Sequence, residues 1–248
     1  MPDDSDTLAA GDPDAYQAAE AQAGSHNRSL NGLRAAVLGA NDGIVSTAGI
    51  VIGVAGATLE PFTILAAGIA GLTAGALSMA VGEYVSVSAQ RDTEKALLDQ
   101  ERRELAEMPE EELAELAGLY EAKGLEPDLA LEVATQLHAH DALAAHAETE
   151  LGINPEELTS PWVAAVSSAV SFTIGSVLPL VAIVFAPTDF KIIVTVAAVV
   201  VALIVTGYLS ARAGGTPIGR AILRNLVGGM VAMGVTYWIG RLVGHSLG

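Results

Sequence analysis

The sequence predicts an all-α membrane protein with five transmembrane helices, and three observations lead to that prediction. Apolar residues make up 51% of the 248 residues, charged residues only 17%, and the mean hydropathy is +0.45. The formal charge of −17 is concentrated in a few parts of the chain, whereas long stretches between them carry no charge. Several of these stretches approach the roughly 20 residues that a helix needs to cross a bilayer core about 30 Å thick.

Five charge-poor stretches mark the predicted spans, near residues 34–58, 62–85, 162–186, 191–211 and 220–243. Basic residues collect before the first span, after the second, and between the fourth and fifth. Positive charge collects on the cytoplasmic side of a membrane. The N-terminus and the segment between the second and third spans are therefore expected in the cytoplasm, and the C-terminus outside. We expect a multi-pass protein of a bacterial-type cell membrane.

The charge distribution divides the chain into four predicted parts. Residues 1–30 form an acidic N-terminal tail rich in Ala, Gly and Asp, which is expected to be disordered because it has no apolar core. Residues 31–89 carry transmembrane helices 1 and 2, and residues 161–248 carry helices 3 to 5. Between them, residues 90–160 form an acidic helical domain, which is expected to bind metal.

Several function classes are excluded by what the sequence lacks. Without cysteine there is no thiolate nucleophile and no Cys-based zinc site. No Gly-Lys-Ser/Thr loop is present to bind nucleotide phosphates, and the Glu-x-x-His pairs of ferritin-like bundles are absent from residues 90–160. The excess of acidic residues argues against a nucleic-acid partner. We therefore expect neither an enzyme nor an ATP-driven pump.

Polar residues inside the first two spans are candidate transport residues. Asn41 and Asp42 lie within the first span, and Ser46 follows Asp42 by one helical turn. An ionised carboxylate at hydrocarbon depth costs at least ~2.5 kcal/mol, so it persists beside water, an ion or a partner charge. On the second span, Met79 and Glu83 share a face. Carboxylate oxygens suit a hard or borderline divalent ion and a thioether adds soft character.

Asp42, Met79 and Glu83 are therefore candidate ligands for Fe²⁺, Mn²⁺ or a similar ion. Alternatives remain for each of them. Glu83 could be a solvated side chain at the membrane interface, Met79 could fill a packing gap, and Asp42 could carry a proton. If Asp42 binds both a metal ion and a proton, competition between the two would couple their movements.

Glycines four residues apart occur on the first two spans, at Gly39 and Gly43, Gly49 and Gly53, and Gly71 and Gly75. Such faces let helix backbones approach closely in lipid. Ordinary packing within one chain accounts for them, and a tightly packed dimer or pore wall would need the same feature.

The acidic segment is predicted to form three helices with metal ligands. The first continues the second span; prolines open the other two and glycines end them, giving boundaries at Pro109, Gly124, Pro127 and Gly152. The third helix is expected to run to Leu151. Beyond residue 104, fourteen acidic residues accompany a single base up to residue 157. Like charges three or four apart destabilise a helix unless a cation bridges them.

Glutamates combined with a histidine fit the coordination of a transition metal, and His146 and Glu150 form an i, i+4 pair in this segment. Metal binding is therefore favoured over a merely solvated acidic surface. The choice of individual ligands is open, since Glu111 could replace Glu112 and Glu148 could replace Glu150.

Two motifs resemble the vacuolar iron transporter family. Residues 34–47 have the sequence RAAVLGANDGIVST, and residues 75–90 have the sequence GALSMAVGEYVSVSAQ. The resemblance covers about residues 30–245. It implies a homodimer of five-span subunits with the pathway along the two-fold axis. It also implies proton-coupled export of Fe²⁺, and often Mn²⁺, from the cytoplasm into a vacuole or out of a bacterial cell.

The resemblance also implies roles for single residues. Asp42 would be the pathway carboxylate and Met79 the pathway thioether, while the cytoplasmic glutamates of the family would fall on Glu101, Glu104, Glu112, Glu115 and Glu150. Plant members carry a methionine pair just before the last of these glutamates, where this chain has His146 and Ala147. The imidazole widens the choice at the cytoplasmic site to Zn²⁺, Ni²⁺ or Co²⁺. No permanently bound cofactor is expected.

The sequence thus favours a homodimeric transporter that exchanges Fe²⁺ for protons across the bilayer, with the acidic domain capturing the ion. A membrane-anchored metal sensor or buffer, whose spans only dimerise it, is the main alternative. A channel without proton coupling is a third possibility, which differs only in whether ion flux follows the pH gradient.

Overall fold

The computed structural model describes residues 36–155 and 160–247, and within these ranges it contains seven α-helices and no strand. The helices are α1 Ala36–Ala57, α2 Pro61–Glu107, α3 Pro109–Ala122, α4 Pro127–His146, α5 Pro161–Phe185, α6 Lys191–Gly214 and α7 Ile218–Leu247. A π-helical turn, Ala147–Leu151, follows α4, and a 3-10 turn, Thr188–Phe190, precedes α6. The predicted N-terminal tail, residues 1–30, lies outside the described residues.

Five of the helices are long and apolar enough to cross a membrane, namely α1, α2, α5, α6 with its preceding turn, and α7. This confirms the five spans predicted from the sequence. The helix α2 has 47 residues and continues from the apolar second span into the charged segment without a break. Large apolar side chains such as Phe62, Ile174 and Trp238 are exposed on these helices, as expected where the surrounding solvent is lipid.

The described chain divides into two compact units. The first contains the described residues up to Met79 together with those from Ser167 onward, and the second, here called the acidic unit, contains Ala80–Val166. The helix α2 contributes its N-terminal part to the first unit and its C-terminal part to the acidic unit.

The first unit is organised around α1. Half of the residues in the apolar 18-residue stretch of α1 are buried, against 11–33% of the residues in the corresponding stretches of the other four candidate spans. Its side chains Ile44, Val51 and Ile52 belong to one core cluster with Ile183 of α5 and Leu203 of α6. The residues flanking Asp42 are therefore held by helices from the C-terminal half of the chain.

Close approach between α1 and α5 explains the glycines near Asp42. A Cβ atom at Gly43 would overlap the carbonyl oxygen of Phe172, and one at Gly175 would overlap that of Ala40. The Ser176 hydroxyl donates a hydrogen bond to the Gly43 carbonyl across the same crossing, at 3.2 Å. This part of the small-residue face on α1 is thus used for packing within the chain.

The acidic unit has a small core between α3 and α4, formed by Leu116, Ala117 and Ala134. The helices begin at Pro109 and Pro127 as predicted, because proline lacks the N–H that a first helical turn leaves unpaired. Gly124, with φ of +104°, follows the end of α3 in a conformation that favours glycine.

The third helix of the acidic segment differs from the prediction. The sequence predicts a helix from Pro127 to Leu151, and helical structure does end at Leu151, before Gly152 with φ of +64°. Asp141, however, has φ −156° and ψ 95° and interrupts this helix. The Asp141 carboxylate accepts a hydrogen bond from the Ala144 N–H at 2.9 Å, which is the geometry of a helix N-cap. The residues after Asp141, including His146, therefore form a new helical segment beyond a kink in α4. The helix α4 ends at His146, and the π-helical turn follows it.

Candidate metal sites

Three side chains from three helices meet in the acidic unit and are here called the glutamate–histidine site. Glu101 lies on α2, Glu112 on α3 and His146 on α4. Their exposed fractions are only 3%, 5% and 0%, and one potential ligand atom of each lies within 4.8 Å of the other two. Acidic side chains are almost never buried this fully unless they are paired or bind a metal.

The distances at this site match donors that converge on one cation. Nδ1 of His146 lies 3.0 Å from Oε1 of Glu101, 3.6 Å from Oε2 of Glu112 and 3.9 Å from Oε2 of Glu150. Two ligands that are each about 2.1 Å from a tetrahedral zinc ion are themselves about 3.4 Å apart. The spacing therefore leaves room for one ion between them.

The hydrogen bonding of the same atoms supports this interpretation. Both ring nitrogens of His146 and Oε1 of Glu101 are buried without a hydrogen-bond partner among the described residues. Buried polar atoms in proteins are normally satisfied, so each exception needs an explanation. An imidazole lone pair and a carboxylate oxygen that face the same space without bonding to each other are both available to a metal ion.

The electrostatics of the site disfavour charge in the absence of a cation. Burial, and then the neighbouring Glu150 and Glu112 carboxylates, raise the pKa of Glu101 to about 7. Burial also raises the pKa of Glu112 and of Glu150, with Glu115 adding to both effects. Burial lowers the pKa of the His146 imidazole. A divalent cation would favour the ionised carboxylates and the neutral imidazole, which are the forms that bind metal.

The remaining predicted ligands surround this site. Glu104 is half-buried and Glu115 is exposed, and both act on Glu101 through their charge without contributing an atom to the three-residue cluster.

The sequence left two ligand choices open, Glu111 or Glu112 and Glu148 or Glu150. Glu112 is in the cluster, whereas Glu111 is exposed. Glu150 approaches His146, whereas Glu148 lines a separate groove beside Gly152 and Asn154.

His138 is a neighbour that sequence reasoning did not assign. Its ring centroid lies 5.8 Å from that of His146 in an edge-to-face arrangement, and its Nδ1 is buried without a hydrogen-bond partner in the described ranges. The eight-residue separation from His146 gave no sequence signal, because the break at Asp141 changes the helical register between the two residues.

A second candidate site lies in the first unit and is here called the Asp42 cavity. It has a volume of about 510 Å³ and is lined by Asn41 and Asp42 of α1, Met79 of α2, and Arg224 and Asn225 of α7, among others. The structure thus brings Asp42 and Met79 to one cavity. The Ser46 hydroxyl donates a hydrogen bond to Oδ1 of Asp42 at 3.1 Å. Glu83 is exposed and is not among the lining residues.

Sequence reasoning missed the polar residues that α6 and α7 add beside this cavity. Thr206 of α6 donates a hydrogen bond from its hydroxyl to Oδ1 of Asn41 at 3.2 Å, and Asn225 of α7 donates from Nδ2 to the same hydroxyl at 3.5 Å. Asn225 and Arg224 are polar residues in or beside the fifth span, which is the signal that could have singled them out.

Comparison with known proteins places the chain in a family. The family model that matches residues 33–241 is that of the VIT family. The chain belongs to the VIT family. A vacuolar iron transporter of Acanthamoeba castellanii is 43% identical over 211 residues, which are 85% of this chain and 78% of that protein.

Plant members of the VIT family are also similar. Vacuolar iron transporter homolog 4 of Arabidopsis thaliana is 36% identical over 217 residues, covering 87% of this chain and 86% of the relative. Vacuolar iron transporter homolog 1 of Oryza sativa subsp. japonica is 38% identical over 213 residues, covering 86% and 74%. With five candidate spans and this membership, the chain is a multi-pass membrane protein.

The two sites of this VIT family member differ in their chemistry. The glutamate–histidine site is buried and combines carboxylate oxygens with an imidazole nitrogen, a set that holds transition metals well. The Asp42 cavity combines one carboxylate and one thioether in an open space with an exposed Asp42 side chain. The first arrangement suits capture of an ion, and the second suits an ion that enters and leaves.

Proposed function

We propose that this chain transports Fe²⁺ across the membrane and out of the cytoplasm, with Mn²⁺ as a second cargo. The observation that carries the proposal is the meeting of Asp42 and Met79 in one cavity among apolar helices. A carboxylate in such surroundings requires a cation, water or a proton beside it. The similarity to proteins named vacuolar iron transporters supports Fe²⁺ as the cation.

Transport is proposed to be exchange for protons. The Asp42 carboxylate cannot hold a metal ion and a proton on the same oxygens at once, so release of one favours binding of the other. The protein acts as a homodimer whose pathway follows the two-fold axis, and both subunits contribute Asp42 and Met79. A bacterial-type cell membrane, with the N-terminus and the acidic unit in the cytoplasm, is consistent with the distribution of basic residues.

The acidic unit captures the ion in this proposal. The four side chains Glu101, Glu112, His146 and Glu150 take Fe²⁺ from the cytoplasm and release it to the transport pathway, with Glu104 and Glu115 adding negative charge around them. The imidazole of His146 also admits Zn²⁺, Ni²⁺ or Co²⁺ at this site. Competition of each ion with Mn²⁺ for the purified protein measures that preference.

The proposal is tested by Fe²⁺ flux into proteoliposomes that contain only this protein, with and without a pH gradient. We expect flux that follows the gradient and that is lost in Asp42→Asn, which keeps the size of the side chain and removes its charge. Asp189→Asn is the matched control, because Asp189 lies in the turn before α6 and is not among the residues lining the cavity. Undiminished Fe²⁺ flux in Asp42→Asn would refute the proposed pathway.

A membrane-anchored metal sensor or buffer is the second candidate. The nearly complete burial of Glu101, Glu112 and His146 favours it, since a closed site retains ions. Tight metal binding by the full-length protein with no flux under any gradient would establish the sensor and exclude the transporter. Flux that ignores the pH gradient would instead indicate a channel.

A further inference from the structure

A chain of three polar side chains crosses the first unit beside the Asp42 cavity, linking α7, α6 and α1. Asn225 and Asn41 both line the cavity, while Thr206 between them is 8% exposed. We propose that Asn225 presents its side-chain oxygen as a ligand for the transported cation, and that Thr206 holds the Asn225 amide in the orientation that makes this possible. The inference rests on the proposed transport of Fe²⁺ through this cavity.

The direction of the hydrogen bonds determines which atom of Asn225 is available. The Thr206 hydroxyl has one proton, which it donates to Oδ1 of Asn41 at 3.2 Å, with the Leu203 carbonyl oxygen as another acceptor at 3.3 Å. The hydroxyl oxygen accepts from Nδ2 of Asn225 at 3.5 Å. The amide nitrogen of Asn225 is thereby turned toward Thr206, and the amide oxygen is left as the polar atom for the cavity.

The reversed amide would be unfavourable on both sides. With Oδ1 of Asn41 placed as the acceptor of the Thr206 proton, an Asn225 oxygen that faced Thr206 would meet the hydroxyl oxygen with no proton left between them. The cavity would then receive N–H groups, which repel a cation. Thr206 is thus a positioning residue, and an oxygen ligand in the cavity depends on its hydroxyl.

The charges around the cavity explain why a neutral oxygen matters there. Asp42 and Arg224 are the charged residues among those that line it. The arginine offsets the charge of the single carboxylate, so attraction for a divalent cation has to come partly from dipoles. A carbonyl oxygen is a hard ligand suited to Fe²⁺ and Mn²⁺, whereas a site left with only Asp42 and Met79 would favour softer ions.

The test compares Asn225→Leu and Thr206→Val with wild type in the full-length protein, using Fe²⁺ flux into proteoliposomes. Leucine resembles asparagine in size without its oxygen, and valine matches threonine without its hydroxyl. We expect the KM for Fe²⁺ to rise about tenfold in both variants, and inhibition by Cd²⁺ to strengthen relative to inhibition by Mn²⁺. Thr206→Ser retains the hydroxyl and should restore the wild-type KM.

Thr195→Val is the matched control. Thr195 is a buried threonine of the same helix, and within the part of the chain that the structure describes its hydroxyl bonds only to the Lys191 carbonyl one turn earlier. It should leave both the KM and the Cd²⁺-to-Mn²⁺ preference unchanged, so a general effect of removing a hydroxyl from α6 is controlled for. If Asn225→Leu does not fold, Thr206→Val and Thr206→Ser still test the proposal through the same two readouts.

Failure of this inference differs from failure of the proposed function. Wild-type flux that is lost in Asp42→Asn, together with an unchanged KM and metal preference in Asn225→Leu or Thr206→Val, would overturn the role of the network alone. Absence of Fe²⁺ flux in the wild type would remove the transport function on which the inference rests.

Discussion

Glu101 is the residue on which burial and neighbouring charge act together most clearly. Its side chain is 3% exposed, and the pKa of Glu101 is raised to about 7. Without metal, and at a pH between about 4.5 and 7, Glu101 therefore holds a proton in the folded form that it would release in the unfolded chain, where its pKa is near 4.5. The stabilising effect of this proton is fully present below about pH 4.5 and is lost as the pH rises through about 7. The pKa of His146 is lowered by burial, so this residue reduces the stability of the folded form as the pH falls below 6.5, the ordinary pKa of histidine.

Metal binding should compensate for the stability that is lost when Glu101 releases its proton, because a divalent cation takes the place of that proton between the ligands. We expect the affinity for Mn²⁺ to increase as the pH rises toward about 7 and to level off above it. Glu101→Gln should lower the affinity at least about tenfold at neutral pH. Isothermal titration of the purified protein with Mn²⁺ at several pH values measures both effects.

The exposed neighbour Glu107 provides the control for this prediction. Glu107→Gln removes one negative charge from the same helix, outside the buried cluster, and should leave the affinity and its pH dependence nearly unchanged. Equal losses in Glu101→Gln and Glu107→Gln would mean that diffuse acidic charge, and not a defined site, binds the ion.

The break in α4 at Asp141 controls the position of His146, which lies in the segment after it. The Asp141 side chain caps the segment that begins there, through its hydrogen bond to the Ala144 N–H. Asp141→Ala should cost ~1 kcal/mol of stability through loss of the cap, and should weaken Mn²⁺ binding because His146 is no longer held toward Glu101. Asp141→Asn keeps an accepting oxygen, so both its unfolding temperature and its affinity should remain near wild type. Identical affinities in all three proteins would separate the cap from the metal site.

The close crossing of α1 and α5 requires glycine at position 43. A methyl group at Gly43 would meet a backbone oxygen, which cannot rotate away, so Gly43→Ala should destabilise the first unit by ~1–3 kcal/mol. Gly82 of α2 has open space around its Cβ position. Gly82→Ala should therefore be neutral or stabilising, since alanine favours the helix by up to ~1 kcal/mol. Thermal unfolding of the purified proteins in detergent compares them, and similar unfolding temperatures would argue against the close crossing.

For the molecule as a whole, the sequence predicts what depends on local pattern and composition. The five spans follow from apolar length, and the starts of α3 and α4 follow from prolines that lie beside the helix boundaries. The break at Asp141 was missed because an aspartate inside an otherwise helical pattern does not show whether it caps a new segment. The approach of Thr206 to Asn41 spans 165 residues of sequence, and such a contact depends on tertiary packing that periodicity does not encode.

The different roles proposed for the two candidate metal sites predict separable effects on transport. If the glutamate–histidine site only captures Fe²⁺, then Glu112→Gln should raise the KM for Fe²⁺ flux and leave the maximal rate intact, because a high ion concentration replaces capture. Asp42→Asn should instead abolish the maximal rate, since no concentration of Fe²⁺ restores a pathway ligand. Glu111→Gln, the exposed neighbour on α3, is the control and should change neither parameter. Flux measured over a wide range of Fe²⁺ concentrations distinguishes these cases, and a maximal rate that falls equally in Glu112→Gln and Asp42→Asn would show that the glutamate–histidine site takes part in translocation itself.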